Sequence, residues 1–306
     1  MRNRSPLLSK EGVGGRLKEE IYMSKRKIVY SLILFLLIIS LIFLGVIYNR
    51  QNQKLKVIFL DIGQGDAILI EKGSNQILID GGPSGQKELE KLGKYIPFWD
   101  RKIEIVIATH PDQDHIAGLI DVMERYKIGK IIDTGAKSDS QVYKKYLETI
   151  DEKKIQRIQG EKDLNIKVGE ADLKILYPGK ILEDNPKDTN ADSIVAKLIF
   201  GENSFLFTGD FPTEKDRVIF GSQVDLSAKV LKVSHHGSKY ATSEEFLNKV
   251  DPQEAIISCG KNNKYGHPAQ EVVDRLNSHK INVFRTDERG DIEYDCWSGL
   301  SCQIAN

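Results

Sequence analysis

The sequence predicts a mixed α/β (α+β) domain of four layers, two β-sheets face to face with helices outside each, preceded by one membrane-spanning helix. Three observations carry that expectation. An uncharged apolar run of 21 residues stands near the N-terminus. From about residue 55 onward, strand-like runs come in clusters with helical stretches between them, not in strict strand–helix–strand alternation. Several of those strands stop at His or Asp, which places polar chemistry at one rim of the sheets.

The apolar run, Ile28 to Tyr48, is long enough to cross about 30 Å of hydrocarbon at about 1.5 Å per helical residue. It is too long for the core of a cleaved leader, and no small-residue cleavage site follows Tyr48. Lys25-Arg26-Lys27 precede it, so the positive-inside rule puts the N-terminus in the cytoplasm and the rest of the chain outside. The expected organisation is a basic cytoplasmic tail (1–27), a transmembrane helix (28–48), a polar linker (49–54) and a folded domain (55–306). Met23 would make a natural start, leaving 1–22 as either an extension or a disordered tail.

Charge narrows the function classes. Residues 1–50 hold nine Lys/Arg and three Glu; removing these from the 44 and 44 of the whole chain leaves 35 basic and 41 acidic residues beyond. A mildly acidic domain lacks the basic face of a tight non-specific DNA binder. Three cysteines exclude a disulfide-dense scaffold: Cys259 ends an apolar run and reads as a buried thiol, while Cys296 and Cys302 either pair, if that end lies outside the cytoplasm, or stay free.

Strands are expected at Lys56–Leu60, Ala67–Glu71 and Gln76–Asp80, separated by glycine-rich turns, then at Ile103–Ala108, Lys130–Asp133 and Asp172–Leu176. Further strands fit Ile194–Phe200, Ser204–Thr208, Lys229–Ser234, Glu254–Ser258, Asn282–Arg285 and Asp291–Tyr294. Helical periodicity covers Gln86–Tyr95, Ile116–Arg125, Gln141–Thr149, Thr213–Ile219, Ser243–Val250 and Pro268–His279, the last with Pro268 in its first turn.

The strongest chemical signal is His110-Pro-Asp112-Gln-Asp114-His115, directly after the strand ending at Ala108. Four ligand-type side chains on one loop let His110 and Asp112 reach one ion, and Asp114 and His115 a neighbour. The strand Ser204–Thr208 runs into Gly209-Asp210, and Lys229–Ser234 into His235-His236. Two adjacent imidazoles at the end of a buried strand need something to bind. Asp66 and Asp80, beside glycines at strand ends, are expected to fix loops through backbone N–H groups.

HPDQDH, the Thr-Gly-Asp210 strand and His235-His236-Gly-Ser resemble the metallo-β-lactamase superfamily, in particular the extracellular hydrolase domain of the ComEC-type DNA-uptake (competence) proteins. Leu60-Asp-Ile-Gly-Gln-Gly-Asp66, Ile79-Asp80-Gly-Gly, Asp192-Ser-Ile-Val, Tyr265-Gly-His267-Pro and Arg285-Thr-Asp287 match in family order across nearly all of 55–295. The resemblance implies a metallo-β-lactamase sandwich holding two divalent ions, zinc or manganese. Asp210 would bridge them, with His110 and Asp112 on the first and Asp114, His115 and one of the adjacent histidines on the second. His235 is favoured as that ligand because it ends the strand, leaving His236 to face substrate; the reverse order is the alternative. Asp114 would also orient the nucleophile, and His267 would donate a proton or contact an anion.

The implied activity is metal-dependent hydrolysis, as a phosphodiesterase or nuclease acting outside the membrane through a metal-bridged hydroxide, with nucleic acid or another phosphodiester polymer as substrate and no nucleotide cofactor. The competing class is a non-catalytic surface receptor for DNA or wall polymer with a residual metal site. Two departures from the family pattern bear on this. Asp112 replaces the second His of the superfamily loop, and the separate His before the bridging Asp is missing, its region reading Asn190-Ala-Asp192-Ser193. The multi-helix channel of full uptake proteins is also lacking, so DNA transport by this chain alone is not expected.

Overall fold

A computed structural model describes residues 11–51, 53–179 and 189–305; the first ten residues of the expected tail and Asn52 of the expected linker lie outside them. The chain divides between residues 53 and 54 into two units. The first contains one helix, α1 (Glu11–Gln51), within which Tyr22–Gly45 is apolar and long enough to cross a membrane. The helix thus reaches into both the expected tail and the expected linker. Residues such as Leu17, Lys18 and Glu19 are good helix formers, so no signal stops it at the apolar boundary.

In the second unit β1 (Leu55–Phe59), β2 (Ile68–Lys72) and β3 (Asn75–Ile79) form a meander, followed by α2 (Gly85–Tyr95), β4 (Lys102–Ala108), α3 (Gln113–Arg125), β5 (Lys127–Asp133), α4 (Gln141–Glu152) and β6 (Gln156–Gln159). The other half runs β7 (Asn165–Val168), β8 (Ala171–Tyr177), β9 (Val195–Phe200), β10 (Asn203–Phe207), α5 (Asp216–Gly221), β11 (Val230–Lys232), α6 (Glu244–Val250), β12 (Glu254–Ile257), α7 (Gln270–Ser278) and β13 (Asn282–Arg285). A short α8 (Thr286–Arg289) leads to β14 (Ile292–Cys296) and β15 (Gln303–Ala305).

The first sheet has the order β15-β14-β1-β2-β3-β4-β5-β6 and the second β13-β12-β11-β10-β9-β8-β7. Period-two alternation sends one set of side chains between the sheets, among them Phe59, Phe205, Phe207 and Tyr294, whose rings meet at 5.3–6.3 Å. Burial of each such ring contributes on the order of 1.5–3 kcal/mol. The opposite set on the first sheet packs on Leu92, Leu119, Val122, Tyr146 and Ile150 of α2–α4. On the second sheet it packs on Ile219, Phe246, Val250, Val272 and Leu276 of α5–α7. That is the expected αββα order.

Three sequence expectations change in detail. β6, β7 and β15 were not anticipated as strands; β6 and β15 are the two edges of the first sheet. The helix expected over 213–219 splits into a single tight turn, Thr213–Lys215, and α5. Pro268 sits before α7, not in its first turn: the His267–Pro268 bond is cis and Ala269 caps the helix.

Candidate metal centre

The strands β3, β4 and β5 run parallel, as do β10, β11 and β12, and their C-terminal ends meet at one rim. Each end delivers a polar residue: Asp80 after β3, Thr109 and His110 after β4, Asp210 after β10, His236 after β11 and Ser258 after β12. Asp114 and His115 come from the first turn of α3. That helix fits closely over the β3 end because Gly118 carries no side chain; a Cβ there would lie 1.8 Å from the Gly81 carbonyl oxygen. Gly65 does the same for the loop before β2, where a Cβ would lie 2.2 Å from the Asp114 carbonyl oxygen.

Asp210 lies at the middle. Its Oδ1 is 3.3 Å from His115 Nε2, and its Oδ2 lies 3.9, 3.6 and 3.6 Å from the Nε2 atoms of His110, His235 and His236. Asp114 Oδ2 is 3.4 Å from His236 Nε2, and Asp112 Oδ2 is 3.8 Å from His110 Nε2. His110, His115, Asp210 and His236 are all at most 2% exposed.

Hydrogen bonds on the far side of the rings set the protonation pattern. Asp80 accepts from the Thr109 backbone N–H (2.7 Å), the Thr109 hydroxyl (2.7 Å) and His115 Nδ1 (2.8 Å). A carboxylate only accepts, so the single Thr109 hydroxyl proton goes to Asp80, and His110 Nδ1 must donate to Thr109 Oγ1 at 3.0 Å. His236 Nδ1 donates to the Ser258 carbonyl at 2.9 Å. All three rings therefore engage Nδ1 on the outside and turn Nε2 inward, the orientation found for metal-ligating histidines.

Inside, the Nε2 atoms of His110, His115 and His236 and Oδ1 of Asp210 are buried without a hydrogen-bond partner. Donors bound at about 2.0–2.1 Å to one ion stand roughly 3.0–3.5 Å apart, close to the separations seen here. Among the described residues the triads compact enough for an ion are His110–His115–Asp210, Asp114–His115–His236, Asp66–Asp80–His115 and Asp66–Asp210–His236. The donor set fits divalent cations.

Charge points the same way. Burial opposes a charge on His236, yet Asp210, Asp114 and Asp66 push it up to about 9. His115 is likewise raised well above its ordinary value, against burial, by Asp210 and Asp80. Burial and the neighbouring His115 hold His110 down at about 4. Burial would raise Asp210 and Asp114, but the surrounding imidazoles hold both below the ordinary carboxylate range. The pocket is an excess of carboxylates drawing in positive charge.

His110, Asp112, Asp114, His115, Asp210, His235, His236 and His267 gather here, in a changed order of depth. His235, favoured above as the ligand, is about 29% exposed at the edge, while His236 is buried among the donors. β11 ends at Lys232, and His235, His236 and Gly237 then take φ values of 49°, 55° and 81°. That left-handed turn swings the second imidazole inward. Asp112 and His235 belong to none of the four triads. The His267 ring lies 5.6 Å from that of His235 and 6.3 Å from that of His236. Burial and these two rings lower it to about 4.

Several contributors were missed or only partly read. Asp80 fixes a loop N–H, as expected, but also orients two imidazoles. Lys232, fully buried, pairs with Asp66 at 2.5 Å, and Asp66 Oδ1 approaches His236 Nδ1 at 3.4 Å. A lysine inside an otherwise apolar strand was the signal for it. Where the family pattern has its separate His, Thr189 donates to Asp112 Oδ1, Asn190 Nδ2 lies 3.4 Å from His235 Nδ1, and Ser193 Oγ accepts from the Asp210 N–H at 3.2 Å.

Cavities open on both sides of the centre. One, of about 470 Å³, is lined by Gln64, Lys87, Asp114, Lys264 and Tyr265; the other, of about 490 Å³, by Asn190, His235, Lys239, Tyr240 and Arg275. Tyr240 and Tyr265 are exposed, each with the preceding lysine about 5.0 Å over its ring.

A profile of the Metallo-beta-lactamase superfamily matches residues 60–261. ComE operon protein 3 of Bacillus subtilis is 32% identical over 83% of this chain and 35% of its own length. Competence protein ComA of Neisseria gonorrhoeae is 28% identical over 78% of this chain and 32% of its own. The chain thus spans about a third of the length of these relatives. A solved structure described as the metallo-beta-lactamase fold protein YhfI from Bacillus subtilis aligns with a TM-score of 0.52 at 13% identity, covering 83% of this chain and 100% of that one, a likeness of fold alone.

Proposed function

The chain belongs to the metallo-beta-lactamase superfamily, and on that premise we propose that it is a metal-dependent phosphodiesterase working outside the cytoplasmic membrane on nucleic acid or a phosphodiester polymer of the cell envelope. The observation that carries this reading is the set of buried, unpartnered donor atoms on His110, His115, His236 and Asp210. The Lys–Tyr pairs on both flanks suit an extended anionic chain, with lysines for phosphates and tyrosine faces for bases or sugars.

His110, His115, His236, Asp114 and Asp210, with Asp112 beside His110, would hold two divalent ions, zinc or manganese. Bound there, the ions would supply Lewis acidity toward water and the phosphoryl oxygens. Asp80, Thr109 and the Ser258 carbonyl keep the imidazoles aimed inward. Asp114, at the mouth of the 470 Å³ cavity, would also orient the attacking water. His235, at the edge, faces the substrate, and His267, its ring 5.6 Å from that of His235, would donate a proton or contact an anionic oxygen.

Lys25–Lys27 before the apolar helix support a cytoplasmic N-terminus, and the Cys296–Cys302 disulfide suits an oxidising compartment for the domain. Asn190, standing where the family pattern has a histidine, favours a second reading, a surface receptor that keeps a metal without turnover. Hydrolysis of bis(p-nitrophenyl) phosphate by the full chain loaded with manganese or zinc decides between them. The enzyme reading expects turnover, with loss of about 10³-fold or more on Asp210→Asn at unchanged circular dichroism. Metal-loaded protein inert toward phosphodiesters would leave the receptor.

A further inference from the structure

The chain contains two tryptophans, Trp99 and Trp297, and both lie at the end of the first sheet opposite the metal centre. Register fixes this. β1, β3, β4 and β5 run in one direction, so Leu55, Asn75, Lys102 and Lys127 mark one edge while Asp80 and His110 follow the other. Trp99 precedes Lys102; Trp297 follows Cys296, which pairs with Leu55.

This end is unusually apolar for a surface. Phe98 and Trp99 are 77% and 73% exposed, their rings in edge contact at 4.9 Å, and Leu300 is 62% exposed in the disulfide-closed loop after Trp297. Cations stand beside them: Arg101, Arg125 and Lys127 are exposed near the Phe98–Trp99 pair in the chain or sheet, and Lys54 Nζ, which also pairs with Asp295, lies 5.8 Å over the Trp297 ring. Exposed tryptophan with Lys and Arg is the composition of a bilayer interface.

Connectivity names the occupant. Helix α1 ends at Gln51 and β1 starts at Leu55, so residues 52–54 can span no more than about 14 Å. The end of the domain that carries Leu55 is tethered within that distance of the helix end, and it is this same end that displays the aromatic residues.

We propose that this end of the domain rests on the bilayer that holds the chain's own helix, with Phe98, Trp99, Trp297 and Leu300 in the headgroup region. The seven residues of β4 would then raise the metal centre roughly 23 Å above the lipid, facing away from it. The inference rests on the reading of Ile28–Tyr48 as a membrane span and is independent of what the centre hydrolyses.

Tryptophan emission of the full chain in vesicles of phosphatidylcholine and phosphatidylglycerol tests it, because α1 contains no tryptophan. Replacing the phosphatidylcholine by its 6,7-dibromo form should quench the emission by about half or more, and both Trp99→Phe and Trp297→Phe should leave a quenchable signal. Emission indifferent to bromolipid, in protein that co-floats with the vesicles and resists carbonate, overturns the proposal. Blue-shifted emission that bromolipid does not quench overturns it too, since a second protein copy would then cover the face. Failure to co-float removes the membrane span itself, and this proposal with it.

Discussion

Asp80→Asn would change one atom of a side chain that touches no substrate, yet the hydrogen-bond pattern assigns it control over two metal-facing imidazoles. Asp80 is 0% exposed and accepts three hydrogen bonds, two of them on Oδ2 from the Thr109 hydroxyl and His115 Nδ1. Its φ of 58° is tolerated by asparagine as well as by aspartate, so the exchange adds little backbone strain. An amide nitrogen at the Oδ2 position would face two donors. Thr109 would have to turn its hydroxyl toward His110, and His115 would have to move its proton to Nε2, inside the centre. Loss of such an orienting partner lowers metal affinity by about 10–100-fold, or about 1.4–2.7 kcal/mol. The metal-free fold would lose about 1–3 kcal/mol for the mispaired buried donors. Competition of the full chain against a chromophoric chelator measures the first quantity and urea unfolding of the metal-free form the second. Unchanged metal affinity in folded Asp80→Asn protein would refute the proposed tautomer control.

Other outcomes follow from the same structure. Burial first, then Asp291 and Asp80, push Glu88 up to about 8, above its unfolded value near 4.5. The native state thus favours the protonated acid, and stability present at low pH falls as pH rises from about 4.5 to 8, by at most about 5 kcal/mol. Glu88→Met should flatten that slope and be the more stable form at pH 8.5; parallel urea midpoints across the range would contradict it. Thiol titration of the denatured, unreduced chain should find one reactive cysteine, Cys259, and opening the short Cys296–Cys302 loop should cost about 2 kcal/mol of stability. His236→Ala should weaken metal binding by about 100-fold, whereas His235→Ala should stay within about tenfold and act mainly on KM; the reverse ranking would restore His235 as the ligand.

How much of this was legible in the sequence differs by scale. The long β-branched strands announced themselves through apolar runs ended by glycine, and HPDQDH placed four polar groups directly after one of them. The polar edge strand Gln156–Gln159 gave no such signal, because pairing at a sheet edge needs no buried face. At the site, residue type showed which side chains could bind metal, but depth depended on backbone torsions. Three consecutive left-handed residues bury the His236 ring and leave the His235 ring at the edge, and only the glycine among them hinted at it. Asp80 and Lys232 act through partners far away in sequence, Thr109 and His115 for one and Asp66 for the other, and such pairings appear only once the sheets are assembled.

Hydrolysis at this site requires that the inward-facing atoms of His110, His115, His236 and Asp210 hold divalent ions. Metal content of the full chain after loading with manganese or zinc and desalting, measured by inductively coupled plasma mass spectrometry, tests it most directly. Two ions per wild-type chain are expected, and at most one in Asp210→Asn protein of unchanged circular dichroism. Wild-type protein that retains no metal, or an Asp210→Asn variant that retains the full complement, would contradict it.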